Sequence, residues 1–324
     1  MTNLHKKKEI PLVFAVDDNY APFLSVAIRS VIDNASTEFF YKIFILNTGL
    51  SAENRKKLVK VVEELSDDVS VESISVASRM DRIGGKTHLR DYYTNAIYYR
   101  IFIPSILSKY EKILYVDCDV VFLDDVSKLF CEDLGDNVFG AVHEEAMSSY
   151  DAFGSYAEDF LGIPKMDYFN SGLLLINTKE YIKADVENKF IDLMSRCKFE
   201  VAPDQDYLNV VCKGRIKYFD IGWNKTPIPE KPFKDEDVKL VHYKLNFKPW
   251  HYRDVRYQDA FWKYAKETPY YEMLLDMRDN YTAEDKLKDS KAFCDLQRMA
   301  MDYVQSENNF KKRYGGGFVA ERAN

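Results

Sequence analysis

The stretch Lys112-Ile113-Leu114-Tyr115-Val116-Asp117-Cys118-Asp119-Val120-Val121-Phe122 decides how the rest of the chain is read. A short apolar run bounded by charge reads as a buried strand that delivers two carboxylates at its C-terminal end. Residues two apart in an extended chain point to the same side, so Asp117 and Asp119 can reach one point in space. Carboxylates so spaced suit Mg²⁺ or Mn²⁺, which prefer oxygen ligands and often share coordination with the phosphates of a substrate. The competing reading is structural, because aspartates gather at strand ends and turns, where they cap helices and bond their own backbone.

Composition narrows the classes. The chain has 324 residues, 46% hydrophobic and 15% aromatic, enough for one large domain or two modest ones. A net charge of −7 argues against general nucleic-acid binding, which needs a basic surface. The five cysteines (Cys118, Cys131, Cys197, Cys212, Cys294) are scattered without CxxC spacing, so neither a disulfide framework nor a zinc site is suggested. No apolar run approaches the length of a bilayer span, and none follows the basic Lys6-Lys7-Lys8 as a signal segment would. A cytoplasmic protein is the expectation.

Outward from the acidic strand, strands alternate with helices. Leu12 to Val16 reads as a first strand ending in Asp17-Asp18-Asn19-Tyr20, and Pro22 suits the first turn of a helix carrying Phe23, Val26, Ala27, Ser30 and Val31. Lys42 to Leu46 is a second strand. Ser51 caps a helix with Leu58, Val61, Val62 and Leu65 on one face, and Val69 to Val76 is a third strand. Such alternation implies parallel pairing with ligands at the C-terminal strand ends. No Gly-x-Gly-x-x-Gly follows the first strand, which disfavours a dinucleotide fold, and Gly84-Gly85-Lys86-Thr87 reads as a flexible loop.

An aromatic helix from about Tyr92 to Phe102 carries Arg100, and Pro104 punctuates it. Phe139 to Val142 is a strand. Glu144 to Lys165, poorly periodic, reads as a long functional lid. Leu173 to Asn177 is a fully apolar strand, Glu187 to Lys198 a helix, and Pro203-Asp204-Gln205-Asp206 opens another helix with Pro and acids where an N-terminus favours them. Arg215 to Ile221 and Lys239 to Tyr243 are late strands, the second carrying His242. Beyond about residue 255 the pattern is helical. Thr282 and Asp285 resemble a capping box for a helix with Phe293, Leu296, Ala300 and Tyr303 on one face.

Five ordered motifs resemble those of the family 8 glycosyltransferases, which include bacterial lipopolysaccharide galactosyl- and glucosyltransferases and glycogenin. They are Phe14-Ala15-Val16-Asp17-Asp18-Asn19-Tyr20, Asp117-Cys118-Asp119, Phe169-Asn170-Ser171-Gly172-Leu173-Leu174-Leu175-Ile176-Asn177, Asp204-Gln205-Asp206, and His242 followed by Lys248-Pro249-Trp250. The resemblance covers roughly residues 11 to 265. It implies an α/β fold of the GT-A kind, with a mixed, mostly parallel central sheet flanked by helices, as a catalytic domain over 1–255 and a helical C-terminal extension over 256–324. It also implies a UDP-hexose donor, Mn²⁺ or Mg²⁺ as cofactor, a saccharide or glycolipid acceptor as in lipopolysaccharide biosynthesis, and retention of configuration. By motif, Asp117, Asp119 and His242 would hold the metal and Lys248 would meet the diphosphate. Asp17, Asn19 and Tyr20 would line the uridine pocket, while Arg100, Asn170, Asp204 and Gln205 would surround the donor sugar. Leu245 stands where the family commonly has Gly, three residues after the histidine, and its Cβ is expected to crowd the phosphate.

Chemically, an imidazole as third ligand favours Mn²⁺ over Mg²⁺. The amide of Gln205 is a poor nucleophile, which favours front-face attack over the covalent route of retaining glycosidases. Two rivals stay open: a haloacid-dehalogenase-like phosphatase, whose nucleophilic aspartate sits in an apolar strand before Asp-x-Asp, and a non-enzymatic or self-glycosylating sugar-nucleotide binder. The basic Phe310-Lys311-Lys312-Arg313-Tyr314 segment could touch an anionic membrane at its inner face; the alternative is a solvated or homodimer-forming extension.

Overall fold

A computed structural model describes residues 7–63, 66–84, 94–228, 233–307 and 309–316. Its centre is a seven-stranded sheet in the order β3 (Val69–Ser75), β2 (Phe39–Asn47), β1 (Lys8–Ala15), β4 (Lys112–Val116), β7 (Phe169–Asn177), β6 (Phe139–His143), β8 (Ile216–Tyr218). The first half is built as the alternation predicts, with β1 (Lys8–Ala15), α1 (Ala21–Asn34), β2 (Phe39–Asn47), α2 (Ala52–Glu63) and β3 (Val69–Ser75). Neighbouring strands there are parallel. Strand β1 is buried from Ile10 onward because its neighbours in the sheet flank it and helices cover its faces, the condition under which a strand reads as a continuous apolar run. Helix α1 has Pro22 in its first turn and is apolar nearly all round because it packs on the sheet side, on α2 and on a later helix. Its buried Ser25 and Ser30 hydroxyls bond back to Pro22 O and Ala27 O.

The acidic stretch departs from the single strand expected of it. Strand β4 (Lys112–Val116) stays in the large sheet, whereas β5 (Val120–Phe122) pairs antiparallel with β9 (Leu240–His242) in a separate two-stranded sheet. The chain therefore changes sheets across Asp117-Cys118-Asp119. The crossing is pinned by Asp117 N to Gly172 O, Cys118 Sγ to Ala15 O, and Tyr243 N to Asp119 O, at 2.9, 3.2 and 2.9 Å. Apolar residues on both sides of the acids serve two sheets equally well, which is why the run looks unbroken in sequence.

Strand β7 (Phe169–Asn177) is antiparallel to both neighbours, β4 and β6 (Phe139–His143). The reason is the connection. After β6 the chain makes α3 (Glu145–Ser149) and α4 (Asp151–Ser155), continues as a π-helical turn (Tyr156–Leu161), and returns at the rim it left, since His143 pairs with Phe169. This segment was expected to be an irregular lid. It is instead helical, with Phe153, Tyr156, Ala157, Phe160 and Leu161 buried. The aromatic spacing Tyr150, Phe153, Tyr156, Phe160 is a helical period once something covers it.

Past the sheet come α5 (Val186–Arg196), α6 (Pro203–Val211), and β8 (Ile216–Tyr218), which is shorter than the strand expected over Arg215 to Ile221. A 3₁₀ helix spans Asn95–Phe102, and Pro104 lies in the first turn of the short helix that follows rather than ending the element. Tyr92 and Gly85 to Thr87 lie outside the described residues. The C-terminal part is α7 (Gln258–Ala265), α8 (Tyr271–Asp279), α9 (Ala283–Gln305) and α10 (Phe310–Tyr314). Thr282 and Asp285 close the reciprocal capping box at the start of α9. Phe261, Tyr264 and Leu274 enter the core around β1 and α1, while Leu296, Ala300 and Phe310 enter the core on the other side of the sheet. Among the described residues no helix is long and apolar enough to cross a membrane.

Candidate active site

Because β7 alone runs backwards, its N-terminal end shares a rim with the C-terminal ends of β1, β4 and β6. Read across the sheet in its spatial order, that rim carries Asp17 after β1, Asp117 after β4, Asn170 and Ser171 on β7, and Glu144 after β6. A cleft runs along it, lined among others by Asp17, Tyr20, Arg100, Asp117, Asp119, Asn170, Asp204, Gln205 and His242.

His242 reaches the acids through the β5–β9 pairing, in which Val120 faces His242. Its Nε2 lies 3.2 Å from Asp119 Oδ1 and 3.8 Å from Asp117 Oδ2, and one ligand atom from each residue falls within 4.8 Å of the others. The other ring nitrogen, Nδ1, is 2.9 Å from Asn224 Oδ1. Asn224 Nδ2 in turn donates to Asn170 Oδ1 at 2.7 Å, so the amide presents its oxygen to the ring. With Nδ1 held by Asn224, Nε2 is the ring nitrogen turned to the carboxylates, the orientation a metal ligand needs. Gly172 leaves the cradle open: a Cβ there would fall 2.3 Å from His242 Cε1 and 2.6 Å from Asp117 Oδ2. Three oxygen and nitrogen donors around a space kept clear by glycine fit a divalent ion.

The countercharges are close at hand. Lys248 Nζ donates to Asp119 Oδ2 at 2.6 Å. Burial raises the Asp119 carboxyl, but Lys248 and His242 outweigh it and hold it well below the usual carboxylate range. Arg100, almost fully buried, donates to Asp117 Oδ1 at 2.9 Å, to Ser171 O at 2.6 Å and to Ser171 Oγ at 2.9 Å, while its Nε lies 3.2 Å from Asp204 Oδ2. Its guanidinium lies over the Tyr115 ring, whose hydroxyl donates to Asp117 Oδ1 at 2.5 Å. Burial pushes the Asp204 carboxyl up against the pull of Arg100.

Gln205 is held as firmly. Its Oε1 accepts from Ser171 N at 2.8 Å and Asn170 Nδ2 at 3.1 Å. Behind it, Asp206 accepts from the Tyr156 and Tyr168 hydroxyls and from Ala202 N. Burial raises Asp206 to about 7 against those three hydrogen bonds.

Ten of the eleven sequence-derived residues thus converge: Asp17, Tyr20, Arg100, Asp117, Asp119, Asn170, Asp204, Gln205 and His242 line the cleft, and Lys248 is bonded to it through Asp119. Asn19 is not among them. Its side chain is exposed, and its backbone N–H bonds Asp17 Oδ1 at 3.0 Å, a turn contact that holds Asp17. Leu245 lines the cleft with φ +55°, so its backbone adopts the conformation glycine favours even though glycine is absent.

Two residues escaped the sequence reading. Asn224 sits in a short 3₁₀ helix with no periodic pattern. Glu144 is a buried acid whose Oε2 accepts from Asn170 Nδ2 at 2.6 Å and which pairs with Lys244; burial raises its carboxyl, but Lys244 and hydrogen bonds outweigh it and leave it lowered. Its place just past a predicted strand end was the usable signal.

Residues 11–254 match the model of the family described as Glycosyl transferase family 8. General stress protein A of Bacillus subtilis is 26% identical over 286 residues, spanning 82% of this chain and 96% of that protein. Lipopolysaccharide 1,2-glucosyltransferase of Escherichia coli K12 is 24% identical over 315 residues, spanning 92% of this chain and 86% of that one. Among solved structures, the galactosyltransferase LgtC in complex with donor and acceptor sugar analogs superposes with a TM-score of 0.66 at 25% identity, covering 80% of this chain and 96% of that one.

Proposed function

The chain belongs to glycosyl transferase family 8, and from that premise we propose that it moves a hexose, glucose or galactose, from a UDP-sugar to a saccharide or lipid-linked saccharide, with retention of configuration and with Mn²⁺ or Mg²⁺. The observation that carries this is the meeting of Asp117, Asp119 and His242, from two sheets, beside Lys248 on the rim that also holds Asn170 and Gln205. Neither the phosphatase nor the scaffold reading has an observation in its favour.

Asp117, Asp119 and His242 would hold the divalent ion, which when bound supplies Lewis-acid stabilisation of the charge on the departing diphosphate. Lys248 adds a point charge to the same phosphates. Asp17 and Tyr20 bound the uridine end of the cleft. Arg100 and Asp204 grip the donor sugar's hydroxyls. Gln205, fixed by Ser171 N and Asn170, faces the reacting carbon and stabilises its oxocarbenium character. The acceptor oxygen attacks C1 from the face the diphosphate leaves; the C1–O bond to phosphate breaks, and the acceptor's proton passes to a phosphate oxygen. A glycosyl adduct trapped on Asp204, Asp206 or the newly placed Glu144 would replace this route with double displacement.

The test is a panel of UDP-sugars with the purified protein and Mn²⁺, following UDP release. One or two UDP-hexoses should turn over and chelation should stop them. Hydrolysis of simple phosphate esters with every UDP-sugar left intact would transfer the site to the phosphatase class.

A further inference from the structure

Past Glu144 the cleft changes character. Its walls there come from α3, α4, α9 and the loop after β9, through Ala146, Met147, Phe153, Leu245 and Leu296. Lys244 and Glu144, which also line the cleft and stand close in sequence to Leu245 and Ala146, are paired with each other.

The C-terminal helix is fitted to this place by one face. Asp289, Phe293, Leu296 and Ala300 recur at helical spacing along α9. Asp289 Oδ2 accepts from the Tyr252 and Tyr281 hydroxyls, each at 2.7 Å, and Asp289 O accepts from Asn246 Nδ2 at 3.4 Å. The His251 ring stacks on Tyr281 with centroids 3.9 Å apart. The loop that carries Lys244, Leu245 and Lys248 is thereby fastened to the start of α9. One turn on, Phe293 meets the rings of Tyr150 and Phe153 edge-on at 5.0 and 6.0 Å. Leu296 then reaches the cleft and Ala300 is fully buried.

A sugar ring gains little from such a wall, because its hydroxyls need partners and the charged pair here is already satisfied. An apolar group gains by leaving water. We propose that this end of the cleft takes an apolar aglycone, so that the acceptor is a glycoside of a hydrophobic alcohol rather than a free sugar or a polar oligosaccharide, with Leu245 and Leu296 setting that preference. The proposal rests on the glycosyltransferase reading and names the acceptor class for it. It also gives α9 a part in substrate selection.

Methyl, butyl and hexyl glucosides and galactosides, titrated calorimetrically into full-length protein loaded with UDP and Mn²⁺, test it. The dissociation constant should fall about fourfold for each methylene until the wall is covered. Leu296→Ser and Leu245→Asn, the latter keeping a residue that tolerates positive φ, should each flatten that slope. Using slopes within each variant makes a general loss of affinity harmless, and either variant serves if the other fails to fold. Dissociation constants independent of chain length, or slopes undiminished in both variants, overturn the proposal. Failure to bind UDP at all would instead strike the glycosyltransferase reading and the acceptor proposal with it.

Discussion

Leu245 offers a test in which the ordinary order of two substitutions is reversed. Its φ of +55° lies in the left-handed region, where a Cβ crowds the following carbonyl at about 1–2 kcal/mol. Leu245→Ala removes a half-buried side chain and keeps that strain. Leu245→Gly removes the same side chain and releases it. At an unstrained site Gly is less stable than Ala by about 0.4–1 kcal/mol, through the freedom it adds to the unfolded chain. Subtracting the central values leaves Gly the more stable by about 0.8 kcal/mol, within a range of about 0–1.6 kcal/mol, a shift of about 2 °C for a chain of this size. Paired urea melts read at matched slope measure the difference directly. An alanine variant as stable as the glycine variant, or more so, would refute the assignment of a glycine-like backbone to this loop. The same pair bears on function, since Leu245 lines the cleft.

Three further outcomes follow from the site. Gly172→Ala has no backbone conflict but puts its Cβ 2.3 Å from His242 Cε1; it should fold at a cost of about 1–3 kcal/mol and weaken Mn²⁺ binding at least tenfold in a metal titration, and undiminished binding would mean the ion sits elsewhere. Asp119→Asn should lose nearly all metal-dependent turnover with an unchanged circular dichroism spectrum, so retained turnover would remove Asp119 from the ligand set. Asp206, raised by burial from 3.8 to about 7, keeps its proton in the folded protein where the unfolded chain has lost it. Its contribution to stability is therefore full below about pH 4 and is lost as pH rises through 7. Wild type should lose on the order of 4 kcal/mol relative to Asp206→Asn over that window, and a pH-independent difference would show that the carboxylate is not so perturbed.

The parts legible in sequence were those carried by period or by neighbouring residues. Strands β1 to β3 with their helices followed from apolar runs and caps. Asp117 and Asp119 declared themselves by spacing, and the Thr282–Asp285 box by its pattern. His242 came from the family motif, yet its convergence with the acids depends on β5 leaving the main sheet to pair with β9, which the unbroken apolar run concealed. The reversal of β7 was equally hidden, because an all-apolar strand reads the same in either direction. Asn224 and Glu144 were missed for a related reason: each is a lone polar residue whose role exists only once Asn170, His242 and Lys244 arrive beside it. The Glu144 to Lys165 segment misled because its helical aromatic period is short and broken by a π-turn.

The single reversed strand has a practical reach. With the chemistry gathered on one rim, the opposite one is left to plain connections: residues 35–38 between α1 and β2, residues 108–111 before β4, and residues 132–137 before β6, most of them solvent-facing. Loops of this kind tolerate insertion and relocated chain ends. A fluorophore, a surface tether or a circularly permuted terminus belongs there, where it can report on or immobilise the protein without entering the cleft.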